Sequence, residues 1–165
     1  MAAMVNTVRG LLAYTIWADR QVLGALRGLP AGDLERDTGT SFGSVLGTMA
    51  HILGAEQLWL SRLLGVPLRE LPSLADYPSL ELIAASFEDF WPQLEFYLAS
   101  LGEEQLASAF TWTSTEGETR TAPLRLVLLH VVNHSNYHRG QVVAQLHQLG
   151  HPAPSTDLLD WRGAI

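Results

Sequence analysis

The run Leu129-His130-Val131-Val132-Asn133-His134-Ser135-Asn136-Tyr137-His138-Arg139-Gly140-Gln141 places three histidines at four-residue steps inside an apolar stretch. On a helix, residues four apart stack one turn above another on one face. Two imidazoles so related can close on a single metal ion. Chance is a weak rival: shuffling the histidines would give roughly 0.2 pairs at this step. The chain has three, His130/His134, His134/His138 and His147/His151. The plainer alternative is a set of packed or surface imidazoles.

Geometry narrows the choice of pair. His130 and His138 are two turns apart, about 12 Å along a helix at ~1.5 Å per residue. One ion with metal–nitrogen bonds of ~2.0–2.1 Å cannot take all three from a straight helix. It must take one adjacent pair and find its other ligands elsewhere. At about 100° per residue, Leu124, Val127, Leu128, Val131, Ser135, Val142, Leu146 and Leu149 form one stripe, and His138 falls within it. His134 lies on its edge and His130 further round. The inward-facing pair is therefore His134/His138.

Composition bounds the rest. A chain of 165 residues with 47% hydrophobic and 16% charged content is expected to form one domain, 1–165, with a substantial core. A formal charge of −7 without a Lys/Arg cluster disfavours a nucleic-acid binder. The absence of cysteine removes disulfides, thiolate ligands and a cysteine nucleophile, leaving histidine and carboxylate as strong metal ligands. No apolar run reaches the ~18 residues of a membrane span, and no signal-type segment opens the chain. The expectation is a cytoplasmic protein with no membrane contact.

Four long helices are predicted to position the histidines. Val5 to Leu29 carries apolar residues at three- and four-residue steps and stops at Gly28 and Pro30. Tyr14 and Trp17 are read as core, and Asp19, which interrupts the apolar face, as a solvated or salt-bridged edge residue. Ala31 to Gly43 is polar and turn-rich. Ser41 or Ser44 would cap a second helix running to about Leu64, with His51 on the flank of its stripe. Glu56 lies on that stripe, where an unpaired carboxylate is costly. It is expected to contact a ligand of the site or to pair with an Arg.

Gly65 to Pro78 reads as a long connection. A third helix spans about Ser79 to Leu101, with a kink or break expected at Pro92. Alternation in Phe110-Thr111-Trp112-Thr113, followed by the turn-like Ser114–Glu118, suggests a short β-hairpin between helices three and four. Pro123 opens the fourth helix, and Gly150 and Pro152 close it. The tail is expected to pack over the bundle through Leu158, Leu159 and Trp161. The pattern is all-α, a four-helix bundle, an architecture that builds metal sites from facing side chains. The fourth helix is apolar nearly all round, with Leu126, Leu129, Val132, Val143 and Ala144 off the main stripe. This predicts a homodimer with that helix near the interface.

Three segments together resemble the DinB/YfiT-like family of DNA-damage-inducible metalloenzymes, which is distinct from the DNA polymerase sharing the name. They are Tyr14-Thr15-Ile16-Trp17-Ala18-Asp19, then Ser41-Phe42-Gly43-Ser44-Val45 with His51 and Trp59, and His134-Ser135-Asn136-Tyr137-His138-Arg139-Gly140-Gln141. The resemblance covers nearly the whole chain, and the Tyr-His-Arg-Gly-Gln run with its upstream histidine is its most specific part. It implies an up-down-down-up bundle, usually dimeric. It also implies a divalent ion held by one histidine of helix two and two of helix four: His51, His134 and His138. His130 then reads as a neighbour of the site and His147 as solvated.

Three neutral imidazoles leave an ion its full charge and an open position, as in catalytic zinc sites. Zinc is the first expectation, and nickel, iron or manganese would also fit. By resemblance the first reading is activation of a low-molecular-weight thiol for S-transfer to an electrophile. The alternatives are a metal-dependent hydrolase using bound hydroxide and a non-catalytic metal-binding stress protein. Asp19, Glu56 and Arg139 are candidates for contacts behind the ligands or to substrate; no general base stands out.

Overall fold

The computed structural model describes residues 3–66 and 71–164. Its long helices are α1 (Ala3–Leu26), α3 (Val45–Leu63), α4 (Leu80–Ala99) and α6 (Leu124–Gln148). Two short helices, α2 (Ala31–Leu34) and α5 (Glu103–Ala107), lie in the connections. The strands β1 (Ala109–Thr113) and β2 (Thr119–Pro123) form an antiparallel hairpin. Of the two candidate caps for α3, Ser44 is the one used: its Oγ accepts the Gly47 N–H at 3.1 Å. Ser79 caps α4 in the same way, through the Leu82 N–H at 3.3 Å.

α6 packs on α1 and α3, and α4 packs on α3 and α1. Directions follow from named contacts. Arg9 reaches the carbonyls of Leu98, Ala99 and Leu101, while Arg20 lies over Trp91, so α1 and α4 are antiparallel. Thr48 meets Gln145 and Trp59 meets His130, so α3 and α6 are antiparallel. The Val5 N–H donates to Glu103 at the start of α5, and the Leu124 N–H donates to the Ser108 carbonyl at its end. The first turns of α1 and α6 therefore lie at one end of the bundle, and the order is up-down-down-up. Leu12, Leu26, Met49, Ile52, Phe87 and Trp91 fill the core between the four helices.

Several sequence expectations need correcting. α4 runs unbroken through Pro92, which sits on its solvent side. Pro123 ends β2 and precedes α6 rather than occupying its first turn. Leu159 in the tail is 93% exposed and Leu158 points largely outward. What docks the tail is Trp161, edge-on to Tyr14, with the Tyr14 hydroxyl donating to the Thr156 carbonyl at 2.6 Å. Trp17 is half-buried, whereas Tyr14 is buried.

Two glycines on α3 let other segments close against it. A Cβ at Gly47 would lie 2.0 Å from the Phe42 carbonyl oxygen, and one at Gly54 would lie 2.3 Å from that of Pro72. Both glycines share the helix face of His51, one turn before it and one after. Exchanging helical Gly for Ala normally gains up to ~1 kcal/mol. Here the methyl would collide with backbone, a class of overpacking that costs about 1–3 kcal/mol. Gly54→Ala is expected to lower stability despite its better helix propensity, as a reduced midpoint of denaturant unfolding.

Candidate metal centre

Antiparallel docking of α3 on α6 brings His51 opposite the turn that carries His134 and His138. The His138 Nε2 lies 3.2 Å from the Nε2 of His51 and 3.2 Å from the Nε2 of His134. One ligand nitrogen from each ring falls within 4.8 Å of the others. Two nitrogens held ~2.0–2.1 Å from one ion at a tetrahedral angle are about 3.3–3.4 Å apart. The two contacts of His138 thus match the spacing of nitrogens that share a divalent ion, and the three rings are placed so that they could hold one. His138 is 7% exposed, and His51 and His134 are half-buried. Among the described residues no carboxylate belongs to this cluster.

The surroundings prepare the rings as ligands. The His138 Nδ1 lies 2.8 Å from Gln141 Oε1 and donates its proton there, leaving the Nε2 lone pair facing the other two rings. Burial first, then the neighbouring His138, lowers the pKa of His51 and of His134 to about 4. Both imidazoles are thus neutral at neutral pH, with lone pairs free. Phe42 stacks on His51 with ring centroids 3.8 Å apart and planes 16° from parallel. The close approach at Gly47 is what seats Phe42 there.

The match to known proteins can now be read against this geometry. The family model described as the DinB family matches residues 4–163. The chain belongs to the DinB family. It is 27% identical over 152 residues to Protein DinB of Bacillus subtilis (strain 168), covering 89% of this chain and 88% of that protein. A crystal structure of a DinB-like protein from Bacillus cereus (ATCC 10987) superposes with a TM-score of 0.65 at 24% identity. That match covers 87% of this chain and 91% of the other, and it supports the DinB fold.

In this DinB domain a buried polar network holds the loop that carries Phe42. Gln145 is fully buried on the apolar face of α6. Its amide nitrogen donates to Thr38 Oγ1 at 2.9 Å and to Thr40 Oγ1 at 2.8 Å, and its oxygen accepts from Thr48 Oγ1 at 3.0 Å. Both N–H groups of that amide pin the loop of Thr38 and Thr40, while its oxygen ties α6 to α3 through Thr48. Sequence reasoning passed over Gln145, although a glutamine on an otherwise apolar stripe was a visible signal. Gln141 was quoted only as part of a motif; its place one turn after His138 was the clue to its role.

Asp19, Glu56 and Arg139 come together behind the histidines, none more than 2% exposed. Asp19 is therefore not an edge residue. Arg139 Nη1 donates to its Oδ1 at 2.9 Å, and the guanidinium lies over the Tyr14 ring. Among the described residues Glu56 hydrogen-bonds neither a histidine ligand nor an Arg; it accepts from Ser135 Oγ at 2.6 Å. One guanidinium stands against two carboxyls. Burial, then the Asp19 charge beside it, raises the Glu56 pKa well above its usual range. As carboxylates, Asp19 Oδ2 and Glu56 Oε2 are both without a partner. A proton on Glu56 shared with Asp19 satisfies both. His130 stands outside the trio, edge-on to Trp59 at 5.3 Å and 5.8 Å from the His134 ring. His147 is exposed, and His151 pairs with Asp33 on the surface.

Because the folded state holds the Glu56 proton more tightly than the unfolded chain, the stability it contributes is complete below the ordinary glutamate value of 4.5. That stability is lost as pH rises through the elevated folded value. Glu56→Gln, neutral at every pH, is expected to flatten the alkaline decline of the melting temperature while changing it little in mild acid. Parallel declines in the two proteins, followed by calorimetry across pH, would contradict the protonated carboxyl.

Proposed function

We propose that His51, His134 and His138 hold a divalent metal ion, zinc first among candidates, and that the protein activates a low-molecular-weight thiol for S-transfer to an electrophile. The observation that carries this reading is the convergence of three imidazole nitrogens with no carboxylate among them. When bound, a divalent ion supplies Lewis-acid charge that lowers the pKa of a thiol or water brought to it. The remaining work falls to the chain itself. Gln141 fixes the tautomer of His138, Phe42 covers one face of His51, and neutral imidazoles leave the charge at the centre undiminished.

Thiol transfer is placed ahead of hydrolysis on acidity. A free thiol ionises near pH ~8.5 and needs little help, whereas water starts near ~15.7. Glu56, buried behind the site, accepts from Ser135 and has its pKa raised by burial, so it is a poor base for water. The decisive screen mixes small thiols with electrophiles on metal-loaded and chelator-stripped protein. Thiol consumption faster with the loaded form by at least about a hundredfold is expected; equal rates in the two forms would refute the activity. For the site itself, His138→Ala is expected to lose stoichiometric metal by elemental analysis while keeping its helical circular dichroism. Full occupancy in that variant would refute the ligand assignment.

We also propose a homodimer through the outer face of α6. Tyr137 there is 64% exposed, and Ala144, two turns on, is exposed beside half-buried Val143. Gel filtration is expected to give twice the 18.1 kDa chain mass; elution at the chain mass would remove this proposal.

A further inference from the structure

One turn of α6 before His134, a cavity of about 410 Å³ opens between the hairpin, α3 and α6. Trp59 and Trp112 form its corner, with ring centroids 5.5 Å apart and planes at 64°. Phe110 stacks behind Trp112. At the end nearer the histidines stands the exposed His130, whose ring lies against Trp59 on one side and His134 on the other. A single imidazole thus separates the cavity from the three converging rings.

The charges around this corner are unequally committed. Arg120 spends its guanidinium on Glu118, at 3.2 and 2.7 Å. Glu116 takes the Thr115 hydroxyl at 2.9 Å. Arg62 lies over Trp59, 4.8 Å from the ring centroid, and feels the charge of Glu116 without a hydrogen bond to any described residue. Its planar donor fork is therefore the one cationic group here left for a ligand, and a guanidinium fork matches a carboxylate. The two arginines and two glutamates sum to zero, so attraction for an anion rests on the unbonded Arg62 fork alone, and a second anionic group is opposed. Arg62 follows His51 by three turns of α3, about 16 Å along the axis. A ligand touching both ends must be elongated.

We propose that this cavity binds the substrate of the histidine centre: an elongated small molecule with a flat or apolar body on Trp59 and Trp112 and a single carboxylate forked by Arg62, remote from the reacting end. Its role as substrate rests on the reading of the three histidines given above; its preference for a carboxylate does not.

The test separates the two. Chelator-stripped full-length protein is titrated with phenylbutyrate and with the neutral phenylbutyramide, following indole N–H signals by NMR. The acid is expected to shift Trp59 and Trp112 and to bind at least about tenfold tighter than the amide. Arg62→Met is expected to bring the acid down to the amide's affinity, and Arg120→Met to leave it within about twofold. Equal affinity of acid and amide for the wild-type protein overturns the proposal without recourse to any variant, as do shifts confined to other residues. In Mn²⁺-loaded protein, protons of bound phenylbutyrate are expected to broaden by proximity to the ion. Sharp ligand signals with Mn²⁺ bound would detach the cavity from the centre and overturn the substrate role. Failure to take up either Mn²⁺ or Zn²⁺ would instead refute the metal reading, with the stripped-protein titration still deciding the carboxylate site.

Discussion

The antiparallel contact between α3 and α6 is the constraint on which the rest depends. Its rungs are Thr48 on Gln145, His51 on His138, Glu56 on Ser135, and Trp59 on His130. Each pairs a polar or aromatic group with one of matching chemistry, so the register of the two helices is specified at four levels. Slipping by one residue turns a helix face by about 100° and would separate every pair at once. An apolar seam alone tolerates such slips far better. The same contact that aligns the imidazoles therefore also excludes the arrangements in which they would not meet.

The buried Asp19–Arg139–Glu56 group ties α1 into that contact. A charged pair with no exposure is an expensive way to join helices, and an apolar trio would often be more stable. What it contributes is direction: Arg139 follows His138 in sequence, so anchoring its guanidinium to α1 restrains the turn of α6 that bears the histidine. Ser135, beside His134, is held from the other side by Glu56. Each α6 histidine thus has an immediate neighbour fastened to a different helix.

Much of this was legible in the chain. Four-residue spacing and the apolar stripe singled out His134 and His138, because helix periodicity converts position into direction without tertiary information. His51 was different. It lies on the flank of its own stripe, and only the resemblance to the DinB pattern brought it to the site; no local signal says which flank faces which neighbour. Asp19 was rightly read as open to a salt bridge but wrongly placed at an edge, for a related reason. A carboxylate on an apolar face reads as an edge until its partner is known, and that partner is 120 positions away. Pro92 was expected to kink or break its helix; the helix is not broken there, and the proline sits on the solvent side, where a lost backbone bond can be made good by water. The corner of Trp59 and Trp112 was invisible because it joins a helix to a hairpin across about a third of the chain.

Phe42 lying flat on His51 has a kinetic corollary. An imidazole sandwiched in this way cannot swing aside on its own; it is freed when residues 38–43 lift, and Gln145 bolts those residues down. Departure of a captured ion would then be timed by the hinge and not by bond strength. Its rate would level off as competing chelator is added, the mark of a gate that opens on its own schedule.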